Sequence, residues 1–150
     1  MSATDIPTLT PSVVWHFSAE LGEGPVWDDL TESLYWLDIK GSTLQIMDTK
    51  CGRKRSAKLP IQVSALALRE RGGLVVATRN GFGFLDLESF QVSFLSDPEE
   101  HLVTNRFNDG KCDRSGNFVA GTMDELEKKP SGAVYRLNTD HTTKPMFGGY

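Results

Sequence analysis

The chain has 150 residues, of which 39% are apolar and 24% charged, an ordinary globular composition that excludes a disordered or membrane-embedded polypeptide. With 20 acidic against 16 basic side chains the net charge is -4, which supplies no basic footprint for nucleic acid or anionic lipid, so neither is expected as a partner. Cys51 and Cys112 sit in no CxxC or Cys/His grouping, so two free thiols in a reducing compartment are expected rather than a zinc site or a disulfide.

The N-terminus, MSATDIPTLTPSVVW, is polar, with Pro7 and Pro11 and no basic start or apolar run. It reads as neither a secretory leader nor a spanning helix, and a cytoplasmic location is expected. Residues 1–15 are expected to be a tail or a strand that closes a blade. From there on no segment keeps a 3.6-residue apolar period over three turns. Short runs rich in β-branched and aromatic residues alternate instead with Gly, Asp, Asn and Ser clusters. In chain order the expected strands are 24–28, 33–40, 43–48 and 53–58, then 63–69, 73–78, 81–86 and 91–95, then 108–112, 118–122, 133–138 and 143–147. His16, His101 and His141 are scattered among them without metal-ligand spacing and read as surface or strand-end residues.

These strands fall into three sets of four, and the sets align. PVWDDLTESLYWLDIKGSTLQIMD, LALRERGGLVVATRNGFGFLD and KCDRSGNFVAGTMDELEKKPSGAVYRLN share one plan of strand, turn, apolar strand, turn and a strand ending in Asp or Asn. Leu34 and Leu74 are 40 residues apart and Leu74 and Phe118 are 44 apart, the spacing of four-stranded propeller blades. A single twisted sheet cannot hide both of its faces. Stacking around an axis is expected to bury Trp36, Val75, Val76 and Val119. The fold class is therefore all-β, with about three blades over residues 16–150. Since propellers close on themselves, the third blade is expected to be covered by a C-terminal half outside this chain or by a second copy of it, or else to present a solvent face that tends to aggregate. The charged stretch Asp124–Gly132, with Pro130, reads as a loop on the rim and a place for a lid or a ligand contact.

Two segments carry more chemistry than packing requires. In Leu21-Gly22-Glu23-Gly24-Pro25-Val26-Trp27 a carboxylate stands between two glycines before a strand, where a propeller points toward its channel. In Thr104-Asn105-Arg106-Phe107-Asn108-Asp109-Gly110-Lys111 an amide, a guanidinium, a carboxylate and an ammonium share one segment. Arg106 and Asn108 can donate to the oxygens of a polyhydroxylated ligand, and Asp109 can accept. On pattern alone Glu23 also fits a solvated turn, and Asn-Asp-Gly also fits ordinary turn chemistry.

The order LGEGPVW, ALALRERGGLVVAT, NRFNDGKCDRSGNFVAGTMD and SGAVYRLN, from about Leu21 to Tyr150, resembles the regucalcin/gluconolactonase family of metal-dependent sugar lactonases. The resemblance implies half of a six-bladed propeller with one divalent cation in its channel. Calcium is the favoured ion, and zinc, magnesium and manganese are also compatible. It implies Glu23 as a metal ligand, Arg106 and Asn108 as holders of a sugar lactone, and a substrate-contacting Glu in the loop after Met123. A gap-free alignment falls there on Leu126, between Glu125 and Glu127, and Glu127 is preferred. The family's other ligands, an Asn and an Asp that is also the usual base, belong to later blades. The resemblance thus assigns no catalytic base here, and a homodimer would offer Glu23 twice and those two residues never. The function implied is lactone hydrolysis, with a calcium-binding regulatory protein or a noncatalytic β-scaffold as the alternatives.

Overall fold

A computed structural model of the chain describes residues 9–149. Its strands are β1 (Gly22–Asp28), β2 (Ser33–Asp38), β3 (Thr43–Asp48), β4 (Lys54–Lys58), β5 (Val63–Leu68), β6 (Leu74–Thr78), β7 (Gly81–Leu85), β8 (Val92–Ser96), β9 (Asn105–Cys112), β10 (Phe118–Asp124), β11 (Ala133–Leu137) and β12 (Thr143–Gly148). They form three four-stranded antiparallel sheets, each a meander in sequence order. The first strand of the middle sheet, β5, lies against the first strands β1 and β9 of its neighbours. These three strands form the inner edge of an arc of three blades. Of the N-terminal segment 1–15, residues 1–8 lie outside the described residues, and 9–15 form no strand.

Burial explains the arrangement. In β6 all five residues are buried, because the middle blade is covered on both faces, and an unbroken Leu-Val-Val-Ala run suits such a strand. Leu74 and Val76 join one core with Tyr35, Leu37 and Leu44 of the first blade. Val75 and Ala77 join the other with Phe107, Phe118 and Ala120 of the third. In β10, by contrast, Phe118 and Ala120 are buried while Val119 between them is not, since one face of the outer blade has no sheet against it. Trp36 is likewise only half-buried and meets the Trp15 ring edge-on, with ring centroids 4.8 Å apart. The expectation that Val75 and Val76 are buried holds. For Trp36 and Val119 it does not, because they point to the open faces of the arc.

Hairpin tips follow a common chemistry. Carboxylate oxygens of Asp28, Asp48, Asp86, Asp113 and Asp140 each accept hydrogen bonds from backbone N–H groups two to four residues on. This is why each repeat carries an Asp at the end of a strand. Most strand ends agree with expectation to within one residue, but β1 begins at Gly22 and not at Gly24, which places Glu23 within the strand and not before it, and β2 ends at Asp38 and not at Lys40. β9 begins at Asn105 and not at Asn108, and β10 runs on to Asp124. Arg106 and Asn108 therefore stand within a paired strand and not in a turn before it, because the ladder from Asn105 to Phe107 against Asp124 to Thr122 continues across a bulge.

Phe82 sits fully buried between the second and third blades, its ring 4.7 Å from that of Phe107 and 6.0 Å from that of Phe118. We expect Phe82→Ala to lower unfolding stability by about 3–5 kcal/mol, read as a shift of the urea midpoint. An unchanged midpoint would contradict its role as the seam between those blades.

Candidate functional site

All three inner strands carry a one-residue irregularity. In β1 the pairing shifts between Glu23 and Val26, in β5 between Val63 and Ala65, and in β9 Phe107 and Asp109 oppose the consecutive residues Thr122 and Gly121, so that Asn108 is the extra residue. A bulge re-aims the side chains beside it. Here bulges fall next to Glu23 and on Asn108, the residues that the two polar segments pointed to.

Glu23 is the second residue of β1 and is exposed. Gly24 after it has φ 62°, a left-handed conformation that a residue with a Cβ adopts only with strain, and this lets the strand bulge there. The entry to β1 is tied down by Asp38, whose carboxylate accepts hydrogen bonds from the N–H groups of Glu20 (3.2 Å), Leu21 (3.0 Å) and Gly41 (3.1 Å). Burial alone would raise the Asp38 carboxyl. The three N–H donors and the nearby Lys58 ammonium outweigh burial and hold it below its ordinary value. Among the described residues the Glu23 carboxylate has no hydrogen bond or ion pair, and no three His, Cys, Asp or Glu side chains come together as a metal-holding group.

The second cluster is built on β9. Arg106 Nη1 donates to the Phe107 carbonyl (3.0 Å) and to Asn108 Oδ1 (3.1 Å), as expected of side chains two apart on one face of a strand. Glu125 lies between two guanidiniums: one carboxylate oxygen accepts from Arg79 Nη1 at 2.5 Å, and the other is 3.8 Å from Arg106 Nε. Arg79 follows β6, so this ion pair joins the middle blade to the third. With both partners more than a third exposed, its contribution to stability is small and its effect is orientation. Glu127 is exposed, with φ 53°, and has no side-chain hydrogen bond or ion pair among the described residues. The structure thus brings Glu125, and not Glu127, to Arg106. The reason is the turn after β10, where Asp124 accepts from the Lys128 and Lys129 N–H groups and folds the insertion back on itself.

A cavity of about 250 Å³ opens here, lined among others by Arg79, Asn80, Asp97, Glu99, Asn105, Arg106 and Thr122. A second, open hollow of about 290 Å³ lies along Asn108, Asp109, Lys111 and Met123. Glu23 lines neither. Gly110 allows β9 to approach β10 closely at the second hollow, since a Cβ there would stand 2.8 Å from that of Ala120. Arg79 and Glu99 were not singled out in the sequence. Both stand in turn-like stretches, and nothing local marks them.

Glu99, only 7% exposed, accepts hydrogen bonds from Asn105 Nδ2 (2.9 Å), the Thr122 hydroxyl (2.9 Å) and the Tyr135 hydroxyl (3.0 Å). Burial first, and then this bond to a carboxylate, push the Tyr135 phenol up from 10 to about 12. Folding therefore favours the protonated phenol. The stabilisation is complete below pH 10 and is lost as pH rises through about 12. We expect the urea midpoint to fall more steeply over that interval in the native protein than in Tyr135→Phe; parallel falls would rule out the coupling.

Residues 21–150 match the model of the SMP-30/Gluconolactonase/LRE-like region. A 6-deoxy-6-sulfogluconolactonase from Pseudomonas putida is 34% identical over 128 residues, covering 85% of this chain and 44% of the relative. A regucalcin from Xenopus laevis is 33% identical over 133 residues, with coverage of 85% and 44%. The crystal structure of a calcium-binding protein, regucalcin, from Agrobacterium tumefaciens superposes with a TM-score of 0.84 at 27% identity, covering 91% of this chain and 46% of that one. The chain spans under half the length of each of these relatives. With three stacked four-stranded sheets, the bulged LGEGPVW and NRFNDGK strands and a family match from Leu21 onward, the chain belongs to the SMP-30/gluconolactonase/LRE-like family.

Proposed function

We propose that this chain is the lactone-holding part of a metal-dependent sugar lactonase acting on an aldono-1,4- or 1,5-lactone such as a gluconolactone. The observation that carries the reading is the Arg106–Asn108 pair, hydrogen-bonded at a bulge on the inner strand β9. Arg106 has donors left beyond those spent on Phe107 and Asn108, and the Asn108 amide NH2 has no partner among the described residues. Together they can hold the ring or hydroxyl oxygens of a sugar ester in one orientation. Glu125, already between Arg79 and Arg106, is the acceptor best placed for a substrate hydroxyl, and Glu127 is the second choice. The family relationship to a sulfogluconolactonase supports the substrate class.

A divalent cation, when bound, would polarise the lactone carbonyl and stabilise the developing oxyanion. Glu23 is this chain's candidate ligand for calcium or for zinc, magnesium or manganese. One exposed carboxylate is far short of the six to eight oxygens that calcium takes, so the donors present here do not fit the ion by themselves. The rest of the set, including the carboxylate that would deprotonate the attacking water, would have to come from another part of a closed ring. A C-terminal half is the favoured source, since a second copy would repeat Glu23. A calcium-binding role without turnover is the second reading, supported by the likeness to the calcium-binding regucalcin.

Proton release from glucono-1,5-lactone, with each metal in turn and with a C-terminal half of a relative added, tests the proposal. We expect a metal-dependent rate above buffer, a fall of roughly 100-fold in Glu23→Gln, and a roughly tenfold higher KM in Arg106→Lys, which loses the planar fork. No rate above buffer, or full activity in Glu23→Gln, would remove the lactonase reading. Calcium uptake by calorimetry in that case would favour the second one.

A further inference from the structure

We infer that Glu99 is a positioning residue for the Arg106–Asn108 pair, clamping from behind the bulged segment of β9 that presents the two side chains. The inference rests on the reading of that pair as the ligand-holding element, and on a geometry that the reading does not use.

Side chains alternate along β9: Asn105 and Phe107 are buried, Arg106 is partly exposed and Asn108 exposed. The buried residues face the core, and the other two face the opposite side. Glu99 reaches this strand from the loop after β8 and grips its core-facing side. One carboxylate oxygen accepts from Asn105 Nδ2, the residue immediately before Arg106. The other accepts from the Thr122 hydroxyl, and Thr122 is the β10 residue paired with Phe107 at the register shift that makes Asn108 the extra residue. Both strands, on the Asn105 side of the bulge, are therefore fixed to one carboxylate. The hold extends outward, because Thr122 Oγ1 also accepts from the Ala133 N–H (2.8 Å), and Asn105 Oδ1 accepts from the Ser131 hydroxyl (2.8 Å). Tyr135 on β11 supplies the third donor. Glu99 thus bonds to three strands of one blade.

A role in packing alone does not require a carboxylate here. No lysine or arginine pairs with Glu99 among the described residues, so a buried anion is held entirely by three neutral donors, at a cost in desolvation. What the carboxylate supplies that an apolar residue would not is a fixed acceptor on each of its two oxygens, tying β9 and β10 to one point just before the bulge. Such a bulge is weakly specified by its own ladder, since the extra residue is unpaired, and the direction in which Asn108 points depends on what holds its flanks. Support of this kind behind a metal ligand is commonly worth roughly 10- to 100-fold in affinity or activity, and a side chain that holds a substrate depends on its support in the same way.

The test replaces Glu99 by Gln, which keeps the shape but leaves one acceptor oxygen where the carboxylate has two, so that Asn105 Nδ2 and the Thr122 and Tyr135 hydroxyls can no longer all donate to it. The side-chain Nε–H signals of 15N-labelled arginine are followed in this chain, and lactone hydrolysis is followed in the complemented form. We expect the amide fingerprint of the fold to persist, the Arg106 Nε–H signal to shift and exchange faster with water, and KM to rise roughly tenfold. Ser131→Ala, which leaves the carboxylate in place and removes one tether of Asn105, should move the same signal in the same direction by less. A Glu99 with only a structural role would lower the melting temperature and leave the Arg106 signal and KM where they were, and that outcome overturns the inference. If Glu99→Gln prevents folding, Ser131→Ala decides alone, with a moved Arg106 signal supporting the inference and an unmoved one overturning it. Absence of lactone turnover in the unaltered protein would sink the lactonase reading, while the arginine signals would still decide the role of Glu99.

Discussion

A four-stranded sheet has two apolar faces and only one of them can be covered by a single neighbour; the rest of this structure follows from that constraint. In the middle blade both faces are covered, and every residue of β6 is buried. In the outer blades burial alternates over the first residues of β2 and β10, where Trp36 and Val119 stay partly open. The two cores do not merge. Leu74 and Val76 belong to one, Val75 and Ala77 to the other, so one strand with a period of two holds three blades together. The open faces belong to the two outer blades, and the chain spans under half the length of its relatives.

Stacking also creates the candidate site. Packing β5 between β1 and β9 places the first strands of all three blades side by side at the inner edge, and each of them departs from regular pairing near its start. A regular ladder would alternate its side chains strictly between the two faces of the blade. Irregular pairing at the inner edge breaks that parity locally, so that after the alternation from Asn105 to Asn108 the next residue, Asp109, is exposed as well. The same irregularity leaves the strand less well specified by its own hydrogen bonds, so its flanks need outside support. Asp38 provides this at the entry to β1, and Glu99 provides it at β9. In both cases a buried carboxylate accepts several neutral donors, a compact way to fix backbone or side-chain positions from one point.

Much of this was legible in the chain itself. The repeat, the strand order and the turn aspartates follow from local patterns, because β-branched runs and Asp-led turns act over a few residues. Glu23, Arg106 and Asn108 stood out because they are polar residues in segments that packing does not require. The choice between Glu125 and Glu127 was not legible. It depends on how Asp124 folds the insertion back and on Arg79, which lies 46 residues away in the chain. Glu99 was hidden for the same reason. Within Asp97-Pro98-Glu99-Glu100 it resembles any solvated turn acid, and its partner Tyr135 lies 36 residues further on.

Composition and pattern by themselves determined that the protein is all-β, built from three similar four-stranded units, and that its chemistry gathers in two short polar segments. Strand period and turn propensity are local properties, and the repeat of units follows from comparing such local patterns at spacings of 40 and 44 residues. Only the tertiary structure decided which faces are buried, where the inner strands bulge, which glutamate meets Arg106 and which carboxylate is held inside the third blade. Each of these depends on contacts between strands far apart in sequence, where the free energy of burial and of satisfied hydrogen bonds is set by neighbours that no local pattern names.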